Sequence, residues 1–163
     1  MTAGKKSAAR PIEVHIDDPA WCALGTKLTA EIKRGAGLAL LCAKQAKANG
    51  GLTVLLTGDD RMRTLNRDHR GKDKPTNVLS FPSRLPGYLG DIAIASGAAA
   101  QEANAAGLPL IDHVLHLVVH GVLHLLGYDH ESPAEAEDME MVEAKILAEM
   151  NIANPYLRRG AIA

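Results

Sequence analysis

The sequence predicts an α+β domain, on three observations. Ile12, Val14 and Ile16 alternate with polar residues, the period of a half-buried strand. Short apolar runs at 52–57, 77–81 and 89–95 add three more strands, and beyond Ser96 the apolar residues fall at helical spacing. Of 163 residues 47% are apolar, yet only one Phe, one Trp and three Tyr are present, so one core of Leu, Ala, Val and Ile is expected. One domain is therefore placed at 11–157, between a disordered basic tail at 1–10 and a C-terminal tail at 158–163. The first tail lacks the apolar stretch of a signal peptide, and no run approaches a membrane span. Cys22 and Cys42 have neither the number nor the spacing of a disulfide framework, which fits a cytoplasmic setting.

Each element has a local reason. After the first strand, Asp18-Pro19 supplies an N-cap and a first helical residue. A helical region follows to about Ala48, with Gly35 and Gly37 interrupting it, so two helices or one with a break are expected. Beyond the strand at 52–57, Asp59 or Asp60 can cap a helix over Met62 and Leu65, and Arg70 is expected to follow the helix at 61–69 in a glycine-containing loop. A Pro/Gly-rich loop joins the strands at 77–81 and 89–95. Helices are then expected at 97–106, 108–126 and 133–150, the last with acidic residues massed in its first turns, where the helix dipole favours them. No internal repeat divides this order.

The chemistry concentrates in residues 120–130, His-Gly-Val-Leu-His-Leu-Leu-Gly-Tyr-Asp-His. Two histidines four apart share one helix face, about 6 Å apart along the axis. Gly127 lets the chain turn back so that a third histidine joins them. His116 lies about 12 Å from His124 by the same rise and cannot ligate with it. The expected ligands are therefore His120, His124 and His130, holding one divalent ion per chain, with zinc the default. Three protein ligands leave the fourth corner of a tetrahedron to water, as at catalytic zinc. His113 and His116 are read as core or cap residues satisfied by hydrogen bonds. Asp129 is either an orienting partner of a ligand imidazole or a plain turn carboxylate.

This segment, with Leu65-Asn66-Arg67, with Arg70-Gly71-Lys72-Asp73-Lys74-Pro75-Thr76-Asn77-Val78-Leu79-Ser80-Phe81-Pro82 and with Leu89-Gly90-Asp91-Ile92, closely resembles the bacterial YbeY family of ribosome-associated endoribonucleases. The resemblance covers about residues 12 to 156. One position departs from it: Asn77 stands where the family usually has Asp, removing a charge near the presumed site. The resemblance implies a zincin-like fold, a small mixed sheet flanked by helices with the metal site at the end of the long histidine helix. It also implies cleavage of single-stranded RNA, with roles in maturing the 3′ end of 16S ribosomal RNA and in ribosome quality control. The implied partners are ribosomal RNA, the small ribosomal subunit and its assembly factors, with neither DNA nor membrane expected. Arg70 matches the family's functional arginine.

Charge placement bears on the same substrate class. The net charge is only −1, yet Arg61, Arg63, Arg67, Arg70, Lys72 and Lys74 crowd one stretch that could track phosphates, or else form a solvated face partly offset by Asp68 and Asp73. Arg70 is the expected catalytic partner of the metal, its planar fork opposing charge on two phosphoryl oxygens. Two rivals are a metzincin-like metalloprotease and a non-catalytic ribosome assembly factor with a structural metal. The first needs a glutamate directly after the first histidine as general base, and this chain has Gly121.

Overall fold

Four strands form one mixed sheet in the order β1-β2-β4-β3, where β1 is Ile12–Ile16, β2 Gly51–Thr57, β3 Val78–Pro82 and β4 Tyr88–Ala95. β1, β2 and β4 run parallel and β3 pairs antiparallel to β4, so β1 and β3 are the edges. The computed structural model describes residues 11–42, 50–72 and 76–157. The expected tails, the end of the first long helical region, and Asp73 and Lys74 of the cationic stretch lie outside the described residues.

Side-chain alternation divides the sheet between two apolar clusters. Leu52, Val54 and Leu56 of β2 and Ile92 and Ile94 of β4 enter the larger one, under helices α1 (Lys27–Cys42), α4 (Leu110–Leu125) and α5 (Pro133–Glu149). Leu79, Phe81, Ala93 and Ala95 point the other way and meet Met62 and Leu65 of α2 (Asp59–Arg70) and Ala98 of α3 (Ser96–Ala106). α4 is buried along most of its length, from Val114 to Leu125, because its apolar residues extend nearly all round. Its histidines are thereby held on a helix packed by both the sheet and three neighbouring helices, α1, α3 and α5.

The expected element order holds, and three local expectations are corrected. The first helical region breaks at Gly25, which has φ 87°, after a short 3₁₀ helix at Pro19–Leu24 capped by the Asp18 carboxylate. Gly35 and Gly37 lie within a continuous α1. Gly35 faces the Met150 sulfur, so the missing side chain serves close packing against the end of α5. The second correction concerns α2, whose N-cap is Gly58 without a side-chain bond. Asp59 instead accepts from Ala98 N at the start of α3 at 3.1 Å, tying two helices together. Third, Arg70 closes α2 rather than entering the loop, and Gly71 in the left-handed region ends the helix.

Gly121 sets how closely α4 approaches the sheet. A Cβ there would stand 2.9 Å from Cγ2 of Ile92, which is itself fully buried in β4. The position that a metzincin fills with glutamate is thus occupied by the sheet. Gly121→Ala is expected to lower the unfolding free energy by about 1–3 kcal/mol through this overpacking. Denaturant titration checks it, and unchanged stability would show that α4 shifts freely.

Candidate metal centre

The long helix and the turn after it converge three imidazoles. α4 carries His120 and His124 one turn apart, and Gly127 at φ 103° reverses the chain. The reversal is held by main-chain bonds from Gly127 N to His124 O at 3.0 Å and from Tyr128 N to Leu123 O at 3.0 Å. His130 returns over the pair, with ring centroids 5.7 Å from His120 and 5.0 Å from His124. One ring nitrogen from each of the three lies within 4.8 Å of the others, a spacing that could hold a metal ion. His120 and His124 are half-buried while His130 is exposed, so the cluster opens to solvent on the His130 side.

Behind the cluster lies a residue that the sequence reading missed. Glu143 of α5 is fully buried, and its two oxygens are divided. Oε2 faces His120 Nδ1 at 2.5 Å, and Oε1 faces His116 Nε2 at 3.0 Å and accepts from the Tyr156 hydroxyl. An ionised carboxylate only accepts, so a proton of His120 sits on Nδ1, which in the neutral ring leaves Nε2 bare. That bare nitrogen faces His124 Nε2 at 3.1 Å, while the His124 ring also hydrogen-bonds the Tyr128 main chain. Two ring nitrogens so placed, with a third beside them, form a donor set that a shared cation satisfies. The residues therefore fit the expected ion.

The electrostatics agree. Burial raises the Glu143 carboxyl, but the hydrogen bonds from His116, His120 and Tyr156 outweigh it and bring the group from 4.5 down to about 2. Burial and the neighbouring His120 and His130 rings lower His124, favouring the neutral imidazole that a metal requires.

The other expected site residues separate from the cluster to different degrees. His113 and His116 are hydrogen-bonded as expected, His113 to Glu102 at 2.8 Å and His116 to Glu143. Asp129 accepts from His130 N at 2.8 Å, which makes it a turn carboxylate. Asn77 donates through Nδ2 to both Glu102 oxygens, at 3.0 and 3.2 Å, and so belongs with His113 rather than with the three clustered histidines. Arg70 is exposed and donates to Ser80 O at 3.2 Å. Ser80 Oγ in turn donates to Gly121 O at 3.2 Å, so Arg70 reaches the cluster's neighbourhood through β3.

Glu143 generates a prediction with a definite sign. Its folded-state carboxyl is depressed, so the stability it contributes is present above about pH 4.5 and is lost as pH falls toward 2. Glu143→Ala leaves two half-buried imidazoles and a tyrosine hydroxyl without their acceptor, and should cost about 2–4 kcal/mol at neutral pH. Glu143→Gln keeps one acceptor oxygen and should cost less. Unfolding of metal-free protein across this pH range measures both effects. An acid limb that persists unchanged in Glu143→Gln would assign it to other carboxylates.

Comparison with known proteins extends these observations. Residues 26–151 match the family model described as Endoribonuclease YbeY. A protein of Halorhodospira halophila named Endoribonuclease YbeY is 50% identical over 124 residues, covering 71% of this chain and 80% of its own. Its namesake in Dinoroseobacter shibae is 43% identical over 168 residues, with 91% and 92% covered. Among solved structures, a Thermotoga maritima protein determined in solution superposes with a TM-score of 0.60 at 25% identity, covering 86% of this chain and 92% of that one. With more than half of its length matched by the family model and with relatives this similar over 80% and 92% of their own lengths, the chain belongs to the YbeY family of endoribonucleases.

Proposed function

We propose that this endoribonuclease is directed at single-stranded RNA and acts with one divalent ion held by His120, His124 and His130, zinc being the default. The observation that carries the reading is the convergence of the three ring nitrogens, with the buried Glu143 carboxylate fixing the tautomer of one of them. Among the described residues no fourth histidine, cysteine, aspartate or glutamate joins the three, which favours a site open to substrate over a structural staple. A bound ion supplies Lewis acidity toward a phosphoryl oxygen and an acidified water.

The chain's own residues do the rest. Glu143 orients His120, and burial keeps His124 neutral. Arg70, anchored on the Ser80 carbonyl, presents its remaining N–H donors for the charge that builds on phosphoryl oxygens. The protease alternative lacks its base, since Gly121 packs against Ile92 where a glutamate would have to stand. In cells the reading extends to ribosomal RNA processing, including 16S 3′ end maturation, and to ribosome quality control. It takes the small subunit and its assembly factors as partners, in the cytoplasm. No single described helix is long and apolar enough to cross a membrane.

Two sets of variants test the reading. His120→Ala, His124→Ala and His130→Ala should each lose stoichiometric metal and RNA cleavage while His116→Ala keeps its metal. Metal retained by all three would sink the ligand assignment, and chelator-sensitive digestion of casein beside inert RNA would restore the protease. Arg70→Ala should stay folded and metal-loaded but turn over on the order of a hundredfold more slowly, with Arg70→Lys a poor rescue. Single-turnover cleavage with metal content determined on the same preparations decides it, and wild-type speed in Arg70→Ala would remove the arginine from the mechanism.

A further inference from the structure

The free edge of β3 carries an arrangement that the three histidines do not explain. Asn77 O accepts from Ala95 N at 3.0 Å and Ser83 N donates to Leu89 O at 2.9 Å, so the odd-numbered residues of this segment turn their main-chain groups toward β4. Val78, Ser80 and Pro82 therefore turn theirs outward, away from the sheet. Three of these outward positions are closed to a pairing strand. Val78 N is taken by the Asn77 side chain at 2.7 Å, Ser80 O by the Arg70 guanidinium at 3.2 Å, and Pro82 has no N–H. An extended peptide cannot add to such an edge, because at each outward residue one of the two groups it needs is missing.

What remains, among the described residues, is one outward donor, the N–H of Ser80. The N–H and C=O of a strand residue point to the same side, so this amide lies beside the guanidinium that Ser80's own carbonyl holds. The Ser80 hydroxyl, on the sheet face toward α4, bonds Gly121 O next to His120. An amide N–H and a guanidinium side by side match the two non-bridging oxygens of a phosphodiester, one acceptor for each donor.

From this geometry we infer that the main-chain N–H of Ser80 is an RNA-positioning donor, which seats a backbone phosphate on the edge of β3 together with Arg70. The inference rests on the RNA-cleaving reading above and adds to it how the strand is held. It also gives the Ser80 carbonyl a purpose, since by fixing Arg70 it sets the spacing of the two donors. The phosphate seated there is the one whose developing charge Arg70 opposes, held on the strand whose Ser80 hydroxyl touches α4 beside His120.

Proline substitution isolates the amide. Ser80→Pro removes the N–H and the hydroxyl, whereas Ser80→Ala removes the hydroxyl alone, so the difference between them reports the N–H. An outward edge position accommodates proline, as Pro82 does two residues on. Binding of a short single-stranded oligoribonucleotide with 2′-O-methyl groups, which blocks cleavage, should be about tenfold or more weaker in Ser80→Pro than in Ser80→Ala, with metal content and melting temperature matched. Equal affinities would overturn the inference. On wild-type protein labelled with ¹⁵N, the same oligonucleotide should move the Ser80 amide proton downfield, and this readout stands even if the proline variant fails to fold. An unmoved Ser80 amide on a protein that binds and cleaves RNA overturns the inference alone. A wild-type protein that neither binds nor cleaves RNA overturns the functional reading and the inference with it.

Discussion

A single buried carboxylate organises this molecule's chemistry. Glu143 is a charge held at zero exposure, and such a group is retained only where partners offset the loss of water. Here the partners are His116 and His120 from α4 and Tyr156 from beyond α5. Three parts of the chain distant in sequence are thus tied at one point. The same contact decides which nitrogen of His120 is bare, so the element that staples α5 to α4 also prepares the ring for a cation. Removing water from the carboxylate is costly, and the stability of α4 and α5 around it is what sustains that cost.

Much of this was legible in the chain. The histidine spacing identifies the converging rings because helix rise and one glycine turn leave few alternatives, and the strands follow from alternation in the first and short apolar runs in the other three. Glu143 escaped because α5 is rich in acidic residues, and one more glutamate reads as part of a solvated face. A signal was nevertheless present: Met139, Glu143, Ile146 and Leu147 fall at i, i+4, i+7 and i+8, the buried stripe of α5. A glutamate on an apolar stripe demands a buried partner, and α4 offers four histidines. The misreading of the first helical region has a cause in packing. Gly35 and Gly37 were read as breaks, when Gly35 is a point of contact with Met150, which only the tertiary packing reveals.

Asn77 illustrates how a departure from a family pattern can be local. Its amide donates to Glu102, which also takes the His113 ring, so the residue completes a small polar network along α3 and the start of α4. An aspartate there would set two carboxylates against each other unless one were protonated. The neutral side chain therefore suits this chain's own neighbours, and the three clustered histidines are untouched by the exchange. Its carbonyl and side-chain oxygens meanwhile define the start of β3, joining that network to the edge on which Arg70 rests.

The histidine cluster backed by Glu143 is proposed to hold an ion on which RNA cleavage depends. Metal analysis of the purified wild-type protein, with single-stranded RNA cleavage assayed before chelation, after it and after adding back one equivalent of zinc, tests this most directly. About one divalent ion per chain is expected, with cleavage abolished on its removal and restored by one equivalent. A folded protein that carries no ion as purified and cleaves RNA equally well in the presence of chelator would contradict it.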